Sequence, residues 1–330
     1  MLSSGSPPPR HRASVKTREK SLRKRGGKRN ERLRTYSFLA TLSIVAIVIG
    51  ASYISSLPRV EHIPDRIDFN RKDWMKYVPN SVQSAFYLDF DGASAISGGP
   101  DFHGPEALLY FYQLGFSIFP QDVSFEVDME LPPPSFNGTV TVMKLHDQQF
   151  SSLQRVVENE ARAPGFRYQG YAVRELLIRR SGENQLLQSF LCLADGYAVF
   201  SYDQTAGRRN VERILDQFAF DAPSLFDNTT VRTGVYATGV TDQQYIGLQV
   251  GMFQTQLNQS RMIVKTIVQD GTGILVTRSI LLPSSGVALD RFEEAHRVYR
   301  DAASYKILDS WLVVVYEYPV SRLKAELSGI

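Results

Sequence analysis

The sequence predicts an α+β protein: one N-terminal transmembrane helix, then a β-rich extracytoplasmic domain with helices that reads as an internal duplication. Three observations predict it. Between Arg34 and Arg59 run 24 residues without a charge, strand-like and helix-like periodicities alternate from Ala85 to the C-terminus, and the order of those signals repeats once. Composition sets the outer limits. Of 37 Lys plus Arg and 34 Asp plus Glu in 330 residues, positions 1–36 hold 12 basic and 2 acidic side chains, a net of +10 against −7 in the remainder. That excludes a basic globular domain, since the positive charge lies in a short tail rich in Ser, Pro and Gly, and nucleic acid is not an expected partner. One cysteine, Cys192, excludes an intrachain disulfide framework and any Cys-rich metal site.

Residues 1–36 read as a basic, disordered cytoplasmic tail, and 37–57 as the transmembrane helix. Phe38 to Ile54 (FLATLSIVAIVIGASYI) is apolar apart from small or hydroxylated side chains. A helix over 37–57, rising about 1.5 Å per residue, matches a hydrocarbon core of roughly 30 Å, and its Ser and Thr can bond their own backbone. Tyr36 and Tyr53 fall near the two interfaces, where amphipathic rings are favoured. Ten basic residues from Lys16 to Arg34 precede the span, and five lie within 20 positions after it (Arg59, Arg66, Arg71, Lys72, Lys76). The positive-inside rule then puts the N-terminus in the cytoplasm and the C-terminal domain outside. A cleaved signal peptide is the competing reading, with Gly50-Ala51-Ser52 as the processing site, but the n-region is long and the apolar run continues past Ser52. The bilayer is therefore the first expected partner, with anionic lipid headgroups held by the basic tail.

Three Asn-x-Ser/Thr sequons, at Asn137, Asn228 and Asn258, all follow the span, as export requires of N-glycosylation acceptors. Cys192 lies in the apolar run Ser189 to Leu193 and reads as a buried filler.

Residues 58–76 carry charges with Pro58 and Pro64 and no apolar period, the pattern of a juxtamembrane linker. Residues 77–330 are long enough for a substantial core. Strands are expected at Ala85–Asp91, Val123–Met129, Thr139–Leu145, Ala172–Arg179, Leu186–Leu193, Tyr197–Tyr202, Thr233–Val240, Met262–Gln269, Ile274–Leu282 and Trp311–Tyr316. Helices are expected where apolar residues recur at helical spacing. These are Phe150, Leu153 and Val157 behind an Asp147 cap; Val211, Ile214, Leu215 and Phe218; Leu289, Phe292, His296 and Tyr299; and Val320, Leu323 and Leu327 behind Pro319 at N1.

The duplication is read from order. Each half, about 77–220 and 230–330, opens with a strand (Ala85–Asp91, then Thr233–Val240). A hairpin turning at Asn137-Gly138 or Asp270-Gly271 and an amphipathic helix follow, such dipeptides tolerating the positive φ of a type I′ turn. A second hairpin turns at Asp195-Gly196 or Asp309-Ser310, Tyr202 matches Tyr316, and a closing helix ends each copy.

Val78-Pro79, the strand Phe86 to Asp91, and Arg167 to Arg179 followed by the Asp195-Gly196 hairpin and a helix carry a family likeness. In these the chain resembles an uncharacterised family of exported or membrane-anchored prokaryotic proteins of unknown function. The resemblance covers most of 77–240, implies an outer location and brings no catalytic residues.

For chemistry, Asp89-Phe90-Asp91-Gly92 at a strand end is similar to the first motif of haloacid-dehalogenase-type phosphatases, where two carboxylates emerge together beside Mg²⁺. Strand geometry would set Asp89 and Asp91 on one face. The Thr that usually follows the Gly is Ala93, and the later phosphatase motifs are missing. His11, His62, His103, His146 and His296 form no zinc-hydrolase spacing, Ser321-Arg322-Leu323-Lys324 lacks the companion motifs of serine–lysine acylases, and no cofactor-binding loop is present. Arg208-Arg209 offers an anion grip, and Pro132-Pro133-Pro134 a stiff extended spacer. The expected function is a binding or interaction module of the cell envelope, meeting an envelope protein or an apolar ligand. The alternatives are an extracytoplasmic metal-dependent hydrolase using Asp89 and Asp91, or a structural cell-surface component.

Overall fold

The computed structural model describes residues 34–52, 60–61, 63, 73–97, 118–132, 139–159, 165–179, 186–201, 206–220, 222–239, 245–254, 260–282 and 299–328. The chain divides into two compact units, 1–58 and 59–330. The expectations on the N-terminal tail before Arg34, most of 58–76, the Asn137-Gly138 turn, Pro133-Pro134, the stripe Leu289 to His296, and His11, His62 and His103 lie outside the described residues.

The first unit contributes α1, Arg34–Ser52, a helix of 19 residues long and apolar enough to cross a membrane, a property that signal sequences share. Its apolar stretch is not buried. Thr41 and Ser43 donate their hydroxyls to the carbonyls of Ser37 and Leu39, each at 2.9 Å, so these two polar groups are satisfied within the helix.

The second unit is built on one sheet. Its strands are β1 Val60–Glu61, β2 Ser84–Asp89, β3 Val123–Glu130, β4 Thr139–Leu145, β5 Gly165–Tyr168, β6 Tyr171–Arg179, β7 Leu186–Ala194, β8 Tyr197–Ser201, β9 Tyr245–Gln254, β10 Ser260–Asp270, β11 Gly273–Leu281, β12 Ser304–Leu308 and β13 Trp311–Pro319. They lie in the order β1-β12-β13-β11-β10-β9-β2-β3-β4-β8-β7-β6-β5, and every neighbouring pair is antiparallel except β1 with β12. The helices are α2 Phe90–Ser97, α3 Asp147–Asn159, α4 Gly207–Phe220, α5 Thr229–Ala237 and α6 Leu323–Ser328. The class is α+β, as the sequence predicts.

Alternation along the strands gives the sheet two buried faces. On the first, Tyr87, Val127, Val140, Val199, Leu248 and Val264 pack with Trp74 and Tyr77 of a 3₁₀ turn, with Val211, Ile214 and Leu215 of α4, and with Val231 and Val235 of α5. On the second, Leu88, Met143, Phe200, Ile267, Val276 and Val314 pack with Phe90 and Ala93 of α2, Leu153 of α3, and Leu323 and Leu327 of α6. Each fully buried side chain of this kind contributes about 1.5–3 kcal/mol.

Several elements differ from the sequence expectation. The strand expected over Thr233–Val240 is helix α5, started by Asn228, whose side-chain oxygen accepts from the Thr230 amide at 2.9 Å. Val231, Gly234 and Val235 then fall on one helical face, and that burial outweighs the strand preference of the Val and Thr residues. The expected opening strand ends at Asp89, because Phe90 begins α2. The first strand after α5 is β9, which sequence reasoning passed over. Pro319 is the N-cap of a 3₁₀ turn, Val320–Arg322, that leads into α6, not its first helical residue. The linker holds an ordered piece, since Val60 and Glu61 pair with Ile307 and Leu308.

Candidate functional site

Of the residues singled out in the sequence, Asp89, Asp91 and His146 gather at the junction of β2, α2, β3 and β4. Asp89 sits at the end of β2 and its Oδ1 accepts the Gly92 amide at 2.9 Å, the bond of an N-cap to the third residue of α2. Asp91 is one turn residue inside that helix. Period-2 geometry therefore does not apply to the pair, and the expectation that Asp89 and Asp91 share a strand face is corrected. The polypeptide turns because Asp89 satisfies an amide that a continued strand would have paired across the sheet.

Asp91 gathers two neighbours from other elements. Its Oδ2 accepts the Ser124 hydroxyl at 2.7 Å, and its Oδ1 lies 3.3 Å from His146 Nε2. Ser124 comes from β3 and His146 from the residue joining β4 to α3. The position of His146 is set by its backbone, whose amide donates to the Asp122 carbonyl at 3.0 Å and whose carbonyl caps α3 by accepting from Phe150 at 2.9 Å. Serine, carboxylate and histidine thus meet, but the carboxylate stands between the other two. The serine proton points at Asp91 and not at an imidazole oriented by a carboxylate, so the relay order of a serine hydrolase is not assembled. Both Asp91 and His146 are about half exposed. Among the described residues no group of three or more His, Cys, Asp or Glu side chains is arranged to hold a metal ion.

The other candidates are placed singly. Cys192 is fully buried on β7, and burial, with Asp195 adding to it, pushes its thiol up to about 12. Arg208 is exposed at the start of α4, paired with Glu212 at 2.8 Å and lying over the Phe166 ring. Asn228 is half-buried and spends its oxygen on the α5 cap. Asn137, Asn258 and His296 lie outside the described residues, while Ser321 is exposed in the turn before α6 and Lys324 is exposed within it.

Two charged groupings went unread in the sequence. The first is the row Ser124, Glu126, Asp128 and Glu130, every second residue of β3, while Val127 and Met129 pack on the opposite face. Its signal was visible in VSFEVDME, where polar and apolar residues alternate. Within the row Thr141 donates its hydroxyl to Asp128, and Ser84 donates to Glu130 at 3.3 Å. Glu126 is 2% exposed and has no hydrogen-bond donor on either oxygen. Burial first, then the Asp128 charge, raise its carboxyl well above the ordinary range. The second grouping is Lys265 on β10, whose Nζ meets the Glu326 carbonyl at 2.7 Å and carboxylate at 3.1 Å, with Arg278 of β11 at 3.7 Å from the same carboxylate. Desolvation lowers the Lys265 ammonium while Glu326 holds it up. These charges fasten α6 to the sheet.

No family model matches the chain, and no curated protein matches it. Two solved structures of TP0453 are similar. Crystal form III shares 8% identity over 81% of this chain and 100% of that one, with a TM-score of 0.50, and crystal form I shares 10% over 80% and 98%, with a TM-score of 0.46. The first likeness is one of fold.

Proposed function

We propose that this chain is a single-pass membrane protein, its N-terminus in the cytoplasm, which holds the sheet unit on the outer side and works there by binding a component of the cell envelope. The observation that carries the reading is α1, a helix of 19 residues long and apolar enough to cross a membrane, with its apolar stretch unburied among the described residues. Water cannot hold such a surface cheaply, and a bilayer can. The ten basic residues from Lys16 to Arg34 before it, against five within 20 positions after it, support the orientation. Binding is favoured over hydrolysis by what Asp89 and Asp91 are bonded to. One caps a helix, and the other, about half exposed, accepts from Ser124 and lies against His146, so both carboxylates are already engaged within the fold.

Strand order supports the duplication. Leaving the central β2–β9 pair in either direction, the sheet runs β2-β3-β4-β8-β7-β6 one way and β9-β10-β11-β13-β12-β1 the other. The turn residues Asp195 and Asp309 both take positive φ, 50° and 47°. Asp195 accepts from the Tyr171 hydroxyl at the start of β6, and Asp309 accepts from the Ile63 amide just after β1. We read β1 as the stand-in for β6 in the second copy, supplied by the chain that follows the anchor.

Protease protection on intact cells tests the topology, with a tag after Ile330 and the size of the anchored product read on the same blot. External digestion of a full-length product is the expected result. Protection of the tag would overturn the orientation, and a product shortened by the N-terminal tail together with α1 would replace the anchor with a cleaved signal.

A further inference from the structure

Glu126 stands on β3 directly between Leu88 of β2 and Met143 of β4, its partners in register. Those two belong to the apolar cluster completed by Phe90 and Ala93 of α2, which packs against β3. A carboxyl group is therefore walled by hydrocarbon, and among the described residues neither of its oxygens meets a donor.

The charges around it do not compensate. On its own strand the group that bears on it is Asp128, itself a carboxylate. From β2, Leu88 and Phe86 bring no charge, and Asp89 is turned to the Gly92 amide. From β4, Lys144 lies over the Tyr197 ring. From α2, Asp91 is engaged by Ser124 and His146, while Lys265 and Arg278, farther across the sheet, are tied to Glu326. Two ionised carboxylates have only acceptors to offer one another. A single proton between them changes that, because Glu126 then donates to Asp128, whose other bond comes from Thr141.

We propose that Glu126 and Asp128 share one proton in the folded protein, and that the packing of α2 on this face of the sheet is thereby coupled to pH. The direction follows from linkage. In the unfolded chain Glu126 releases its proton near the ordinary glutamate value of about 4.3, whereas in the fold the same carboxyl is held well above that range. Between the two values the folded state binds more protons, so folding weakens as pH rises, by up to about tenfold in the equilibrium constant per pH unit. Below about pH 4 both states hold the proton and the contribution disappears.

The test compares the full chain in detergent with Glu126→Gln and Asp128→Asn, following urea unfolding from pH 5 to pH 8 and hydrogen exchange of the α2 amides. The expected result is a Glu126→Gln midpoint near that of the wild type at pH 5 and increasingly above it toward pH 8, with a smaller gap for Asp128→Asn. Wild-type α2 amides, corrected for intrinsic rates, lose protection over the same range. Parallel midpoint profiles for wild type and Glu126→Gln overturn the proposal. So does a wild-type midpoint at pH 8 that Mg²⁺ or spermidine raises and the Glu126→Gln midpoint does not, because a cation would then be what neutralises the pair. Infrared spectroscopy of the wild type reads the proton directly, and the absence of a protonated carboxyl band at pH 7 sinks the idea even if the variant does not fold.

Discussion

Gly234 shows how much a single position decides. It sits on α5 where a Cβ would stand 2.6 Å from Trp311 Cη2 and 2.7 Å from Val264 Cγ2, so the missing side chain sets how closely the helix approaches the sheet. Trp311 fills that contact and donates its indole N–H to Thr233 at 3.2 Å. Gly234→Val should therefore cost about 1–3 kcal/mol through overpacking, read as a lower urea midpoint with an unchanged slope. Glu326 makes the opposite case, where a charge is needed. Glu326→Gln leaves Lys265 buried with its backbone bond but without its counter-ion, and a loss of about 3 kcal/mol is expected in the same unfolding experiment. Cys192 is silent for a physical reason, since burial closes off its thiol and pushes it up to about 12. Thiol reagents at pH 8 should label it only after denaturation, and rapid labelling of the native chain would mean that β7 is not packed as described.

At the scale of elements, the caps explain where strands give way to helices. Asp89→Ala removes the bond to the Gly92 amide and should destabilise the unit by about 1 kcal/mol, with the exchange protection of α2 falling most. The same variant separates the two functional readings, because loss of a turnover without loss of stability would favour the hydrolase. Local chemistry of this kind is partly legible. Asp195-Gly196 announced its hairpin, and both residues take positive φ, 50° and 82°. Asn228 ahead of Thr229 and Thr230 was equally a cap signal, but the β-branched run behind it reads as strand until the apolar face of α5 has something to pack on. Strand β9 failed for a different reason. Gly247 and Gly251 lower its strand propensity, yet a Cβ at either would meet Leu327 Cδ2 at 2.9 Å or Ser84 Cβ at 2.7 Å, contacts with residues 80 and 167 positions away. The glycines that hid the strand are what its neighbours require.

For the whole molecule, the sheet order places β2 and β9 at the centre and hands the far edge beside β12 to two residues of the linker. Chain order could not show this, since pairing between β2 and β9 joins residues about 160 positions apart and depends on both faces of each strand being covered at once. The same holds for the site. The acidic alternation of β3 was present in the sequence, but that Glu126 is walled by Leu88 and Met143, while Asp91 draws in Ser124 and His146, exists only once three strands and a helix are assembled. By itself the sequence determined the apolar N-terminal helix, the α+β class, most strands and two of the hairpin turns, because hydropathy, periodicity and positive-φ dipeptides act within a few residues of where they are written. Only the tertiary structure decided the strand order, the helical state of Thr229–Ala237 and which carboxylates are buried or bonded, because each of those depends on desolvation and contact between segments far apart in the chain.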